Sequence, residues 1–315
     1  MATYQTYTAI GQREDLTDVI YDISPTDTPI MSSIGKTKAT SVYHEWQTDS
    51  LAAATTANAL VEGASATEAT ISPTTRLGNY TQIVGKTVMV SGTLLASDLA
   101  GRKSEMAYQL AKASAEMKRD IETIITANQG QAAGSSGSSA RKMGSLLSYI
   151  KTNTSKNGTS VTGVDPTTLG VSTRTDGSTR AFTETILKDV IAKVFSSGGT
   201  PSALFVSPAQ KQVVSGFTGL AAQRYQVPTN GQATILAGAD LYQSDFGVLQ
   251  IVPNRFMRTR DALVLDPEYA ALAYLRPFQT IDIAKVGDAE KKQILAELTL
   301  EVRNEAAHGG AFDLS

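Results

Sequence analysis

The sequence contains no cysteine, which excludes disulfides and thiolate metal sites. Histidine is nearly as scarce: His44 and His308 are the only two. Two isolated histidines fall short of a histidine zinc site, no HExxH pair occurs, and each is expected to have a structural role. Charge is thin as well. Charged residues make up 18%, below the roughly one quarter usual in soluble domains. The formal net charge is −2, and the densest basic spots are Arg141-Lys142 and Lys291-Lys292. A protein that wraps nucleic acid by neutralising its phosphates needs a basic face that this chain lacks. No apolar run approaches the roughly 18 residues that cross a bilayer. The opening MATYQTYTAIGQRED lacks the basic-then-apolar order of a secretory signal, so synthesis and assembly in a cytoplasm are expected.

What is present is a chain of 315 residues, 41% of them apolar, enough for a sizeable core and more than one domain. Ala, Ser, Thr and Gly fill the place of the missing charge, which suits a protein covered by neighbours.

The pattern along the chain changes in clear steps. Residues 14–23 (EDLTDVIYDI) predict a short helix with Leu16, Val19, Ile20 and Ile23 on one face, stopped by Ser24-Pro25. TDTPIMSSIG follows as extended chain, and the whole segment reads as an arm with too little apolar surface to fold alone. Residues 36–90 predict a long two-stranded excursion. Its outgoing strand is TSVYHEWQTDSL and its return strand NYTQIVGKTVMV, with a small, polar tip between them. A lone hairpin is marginal in water, so such an arm implies a surface on another molecule.

Residues 104–128 predict the clearest helix. Ser104 is a good N-cap, Glu105 lies in the first turn, and Met106, Leu110, Ala113, Met117, Ile121 and Ile124 form one apolar stripe. Short hairpins and loops are expected over residues 143–179. A mixed module follows. It has a helix from Thr183 as cap, a buried strand ALFVSP, and a helix begun by Ser207-Pro208. A strand pair about Gly247 and the strand ALVLDP complete it. The end reads as sheet, RPFQTIDIA and QILAELTLEVR. In the second strand Ile294, Ala296, Leu298, Leu300 and Val302 alternate with mostly polar positions, the mark of a half-buried antiparallel strand.

None of the chemical motifs holds up. Gly78…Gly85-Lys86-Thr87 has six residues between its glycines where a phosphate loop has four. No G-x-S-x-G elbow occurs. Glu116, Asp120 and Glu122 read as the solvated or interface face of the long helix rather than an acid–base pair. Trp46, the only Trp, stands on the excursion, either as an interface anchor or packed on its own chain. Leu16, Ile20 and Trp46 are the candidate interface residues; no catalytic, metal or cofactor site is expected.

The order of these segments, together with EDLTDVIYDISPTDTPIMSSIG, YHEWQTDSL, NYTQIVGKTVMVSG, EMKRDIE and AKVGDAEKKQILAELTLEVRNEAAHG, resembles the Hong Kong 97-type fold of tailed-phage major capsid proteins. It is similar in particular to the podophage SU-ten subfamily. The resemblance implies an α+β subunit with an N-arm (1–35), an E-loop (36–90), a peripheral domain with a spine helix (91–182 and 266–315) and an axial domain (183–265). It implies a structural protein that forms hexamers and pentamers in an icosahedral head around double-stranded DNA. That DNA would be contacted non-specifically. Partners would be a separate scaffold protein, a portal and decoration proteins, with no membrane and no cofactor. The alternatives are an encapsulin-like nanocompartment shell, an α/β enzyme on residues 180–265, or a secreted adhesin.

Overall fold

The computed structural model describes residues 27–315, apart from 64, 66, 67, 69, 70, 72, 100, 102, 159, 160 and 218–239. The helix predicted over 14–23, with Leu16 and Ile20, lies outside the described residues. In chain order the elements are α1 (Pro29–Ser33), β1 (Gly35–Lys38), β2 (Tyr43–Thr48), β3 (Thr75–Tyr80), β4 (Gln82–Ser91), α2 (Gly92–Ala96), α3 (Glu105–Thr126), α4 (Leu146–Tyr149) and β5 (Thr154–Ser155). Then come α5 (Glu184–Ser196), β6 (Ala203–Val206), α6 (Pro208–Ser215), β7 (Leu241–Ser244), β8 (Gly247–Pro253), β9 (Ala262–Leu265), β10 (Ala270–Ile283), β11 (Ala289–Val302) and β12 (Gly309–Ala311).

Helix α3 forms where its stripe demands it. The Ser104 hydroxyl accepts the Ala107 amide, and Met106, Ala113, Met117, Ile121 and Ile125 are buried. The helix lies across a four-stranded sheet ordered β1-β10-β11-β4, in which only β1 and β10 run parallel. One face of that sheet points at α3: Val84 and Val88 of β4, Ile294 and Ala296 of β11. Lys86 on the same face reaches Glu116 at 2.9 Å and Asp120 at 3.2 Å.

The second sheet has six strands ordered β5-β12-β9-β6-β8-β7. Strands β6 and β9 are apolar at every position because both faces are covered. Ala203, Phe205, Leu263 and Leu265 belong to the core beneath α3; Leu204, Val206, Ala262 and Val264 belong to a second core closed by Leu187, Val190, Ile191 and Val194 of α5. The two cores thus share one sheet.

Several expectations need correction. The return strand predicted over 79–90 is two strands. At Thr81 the amide donates to the Val42 carbonyl at 2.8 Å and the hydroxyl to Glu297 at 2.8 Å. There β3, paired with β2, gives way to β4, paired with β11. Strand β11 is buried on both faces over its second half, because Glu297, Thr299 and Glu301 are covered and bonded by neighbouring segments. Residues 29–33, read as extended chain, form α1, whose Ile30 and Met31 enter the first core. SLLSYI is not a hairpin but the buried helix α4. Thr183 caps α5 with its carbonyl, which accepts the amides of Ile186 and Leu187, while its side chain makes no cap bond.

The end of the chain joins the second sheet. Residues 309–311 run between β5 and β9, Phe312 fills the first core, and Ala311 and Leu314 fill the second. A string of charges alternating in sign holds this tail. Lys156 and Arg174 meet Asp165; Arg174 and Arg260 meet Asp313 at 3.7 Å and 3.0 Å; Arg260 and Arg258 meet Asp176; Arg258 meets Asp261 at 3.3 Å. Arg174 also lies over the Phe312 ring, 3.8 Å from its centroid. Asp313 has φ 60°, a left-handed conformation.

Glu122 is not on a solvated face; it is fully buried. Its carboxylate accepts the amides of Ile30 and Met31, both at 2.9 Å, and the Asn254 side-chain amide at 2.6 Å. It therefore caps α1 from another helix and ties it to the end of β8. Burial pushes its carboxyl up against the pull of these three donors. Glu122→Gln sets an NH2 group against one of the donors and is expected to cost about 1–3 kcal/mol. An unchanged urea midpoint would remove Glu122 from this role.

Candidate assembly interface

The hairpin β2–β3 leaves the body at a root fixed by buried polar bonds. Asn79, fully buried, donates to the carbonyls of Leu300 at 2.8 Å and Gly144 at 3.2 Å, and accepts the Gly144 amide at 2.8 Å. The Tyr149 hydroxyl donates to the Gly78 carbonyl at 3.0 Å, and burial raises its ionisation well above the usual range. Gly78 lets the Tyr43 ring lie over the strand, since a Cβ there would stand 2.7 Å from that ring and push it aside. His44 meets Glu301 at 3.2 Å. Burial pushes the Glu301 carboxyl up, yet bonds from His44, Arg303 and Thr37 outweigh it and hold the group below its ordinary value. At the next turn of the sheet Glu297 takes Arg141 at 2.7 Å and Arg276 at 2.8 Å.

Trp46 belongs to this root. Its ring lies 6.0 Å from that of Tyr149 and packs on the first core, turned toward its own body rather than presented at the tip. Leu16 and Ile20 lie outside the described residues. Sequence reasoning missed Asn79, Tyr149 and Glu297; the one available signal was a polar Asn opening a run of β-formers.

Beyond the Thr48–Thr75 pair the described residues of the hairpin form no further strand pair. Leu51 is 98% exposed and Ile71 91%, with Leu60 and Val61 close behind. A second apolar surface lies on the sheet face turned away from α3. Ile281 and Ile283 of β10 share that face with Ile83 and Met89 of β4, through the registers Ile281↔Gln293↔Thr87 and Ile283↔Lys291↔Met89. A third is the tilted pair Phe195 and Phe246, centroids 4.7 Å apart, with Val248 and Leu241 exposed on the adjoining strands β8 and β7. Exposed large apolar side chains grouped on one face or loop mark candidate interaction sites.

Residues 2–315 match the model of the SU10 major capsid protein family. The chain belongs to the SU10 major capsid protein family. Its role is structural, as a component of the virion capsid. The major capsid protein of Escherichia phage Phieco32 is 27% identical over 340 aligned residues, covering 98% of this chain and 96% of that one. Among solved structures, the capsid asymmetric unit of cyanophage A-1(L) superposes with TM-score 0.68 at 11% identity, covering 96% and 97% of the two chains. The capsid of a native GTA particle gives 0.59 at 12% identity, covering 98% and 97%. These structures share the fold, α+β and Hong Kong 97-like. The nanocompartment, enzyme and adhesin alternatives are not favoured. In this capsid protein the three apolar surfaces lie on separate parts of one chain.

Proposed function

We propose that this capsid protein closes an icosahedral head around double-stranded DNA, as hexamers and pentamers whose arms lie on their neighbours. The observation that carries the proposal is a pairing of two incomplete surfaces in one chain. The arm beyond Thr48 exposes Leu51, Leu60, Val61 and Ile71, and the outer sheet face exposes Ile83, Met89, Ile281 and Ile283. Neither is covered by the described residues of its own chain, and both would bury apolar surface on a neighbour. A contact between two different patches propagates from copy to copy and closes where the rotation permits. The fixed root aims the arm, and the residues past Thr48 adapt to five-fold or six-fold surroundings.

In this reading residues 1–35 are the N-arm and 36–90 the E-loop, with β4 lending that region an anchor in the sheet. Residues 91–182 and 266–315 form the peripheral domain. Residues 183–265 form the axial domain, completed by the tail strand. Assembly takes place in the host cytoplasm with a separate scaffold protein, a portal and decoration proteins. With a net charge of −2, the inner surface leaves most of the DNA charge to simple ions.

Electron microscopy and sedimentation of the protein expressed alone, and then with its scaffold, test the proposal. Uniform shells, or rings of five and six, are expected. A chain that stays monomeric with scaffold present would overturn it.

A further inference from the structure

Two of the chain's passages between the sheets run side by side. Residues 266–269 lead from β9 to β10, and residues 303–308 lead from β11 back to β12. They are tied through backbone, the Arg303 amide donating to the Tyr269 carbonyl at 2.9 Å. His308 bridges them as well, from the buried side, and its ring is fully buried. Nδ1 accepts the Asp266 amide at 3.3 Å, and Nε2 faces the Tyr269 carbonyl at 3.4 Å. A neutral ring with its proton on Nε2 satisfies both contacts. Gly309, the next residue, lets α5 close directly on the strand, since a Cβ there would lie 2.7 Å from Val190 and Val194.

The charged groups around the joint come from every element packed on it. Asp266 bonds the Glu268 amide; Glu268 offers its carbonyl to Arg303; Glu305 holds the amides of Lys151 and Thr152. From α5, Lys193 is paired with Asp189 and donates to the Thr154 carbonyl. Both bonds of the His308 ring go to backbone, so no carboxylate stands ready to stabilise a second ring proton.

We propose that His308 is an acid-sensitive pin: a proton added at Nδ1 breaks its bond to Asp266 and loosens the joint between the two sheets. The consequence for shells rests on the assembly proposed above; the consequence for the single subunit does not. A second ring proton turns Nδ1 from acceptor to donor, facing another donor inside the fold. Burial holds the ring's pKa down to about 4. A base depressed in the folded state contributes stability that is present above its ordinary pKa and lost as the pH falls from there toward the folded value. Between pH 7 and 4.5 this loss is about 60-fold in the folding equilibrium. Asp261, pushed up to about 6 by burial, takes up a proton on folding in the same window with the opposite sign, and Asp266, also raised by burial, acts in that same direction. The wild-type profile is therefore a sum, and only the difference from a His308 variant isolates the pin.

The experiment is denaturant unfolding of the unassembled subunit at about pH 7, 5.5 and 4.5, for wild type and His308→Asn, alongside NMR titration of the wild-type imidazole. Wild type is expected to lose about 60-fold more than the variant over this range, with an imidazole that titrates below 5. Parallel pH profiles, or an imidazole titrating above 6, would overturn the proposal. If His308→Asn does not fold, the wild-type titration decides alone. Light scattering of assembled shells then tests the second step. Variant shells are expected to outlast wild-type shells in acid. If the subunit behaves as expected and shells do not form or do not differ, the assembly reading fails and the pin stands.

Discussion

Removing residues 52–74 is expected to give a subunit that folds as before and no longer closes shells. The deletion leaves Asp49, Ser50 and Leu51 to join Thr48 to Thr75, a three-residue hairpin loop, which is a common length. The described residues of this stretch contribute nothing to either core. The root bonds of Asn79, Tyr149 and Glu301 lie outside the deletion. The thermal midpoint should therefore move by only a few degrees, the scale of about 1 kcal/mol. Assembly should suffer far more. Each large apolar side chain gains about 1.5–3 kcal/mol on full burial, so losing Leu60, Val61 and Ile71 removes several kcal/mol from every arm contact. A shell multiplies that loss by its number of contacts. Circular dichroism checks the first half and electron microscopy the second. Regular shells from the deletion variant would sink the role given to the arm.

The second large effect is expected at Asp313. Its carboxylate accepts the amides of Asn157 at 3.3 Å and Gly177 at 2.7 Å and stands between Arg174 and Arg260. Asp313→Ala leaves two amides without their acceptor, takes one of two carboxylates from each of Arg174 and Arg260, and puts a Cβ without a polar tip at φ 60°. Removing one member of a buried pair typically costs about 3–5 kcal/mol, more than the pair itself is worth, because the partner charge stays behind. Asp313→Asn keeps an acceptor oxygen and the tolerance of Asn for left-handed backbone, so it should cost about 2 kcal/mol. Urea unfolding of both variants gives the ranking, and hydrogen exchange at the Phe312 and Leu314 amides shows whether the tail has come loose. Equal and small effects would mean that the apolar side chains hold the tail without the charges.

The sequence made α3 legible because Met106, Ala113, Met117 and Ile121 repeat at helical spacing and that face meets the core. Strand β11 was legible for the same reason at spacing two. What escaped were positions whose pattern is written on another segment. Glu122 stands next to Ile121, and only the amides of Ile30 and Met31, some ninety positions away, show why a carboxylate is buried there. The alternation in β11 gives no hint that Glu297 and Glu301 are covered too, because their cover is the hairpin root and two arginines. The tail GGAFDL is too short and glycine-rich to read as a strand, yet it is one. Of the candidate site residues, Trp46 could be placed on the excursion from the sequence, but not turned inward on Tyr149. The arm tip reads as small and polar in the sequence, and the exposure of Leu51, Leu60, Val61 and Ile71 on it came only with the fold.

The place of that tail has a consequence for how the subunit is made. Residues 309–314 supply a strand to one sheet and side chains to both cores, so a ribosome must release that stretch from its tunnel before either core can close. A chain broken off upstream of it lacks the plug and stays recognisable to proteases and chaperones as unfinished. The copy number of a shell magnifies any error in its parts, and here one short segment shared by both cores makes them close together or not at all.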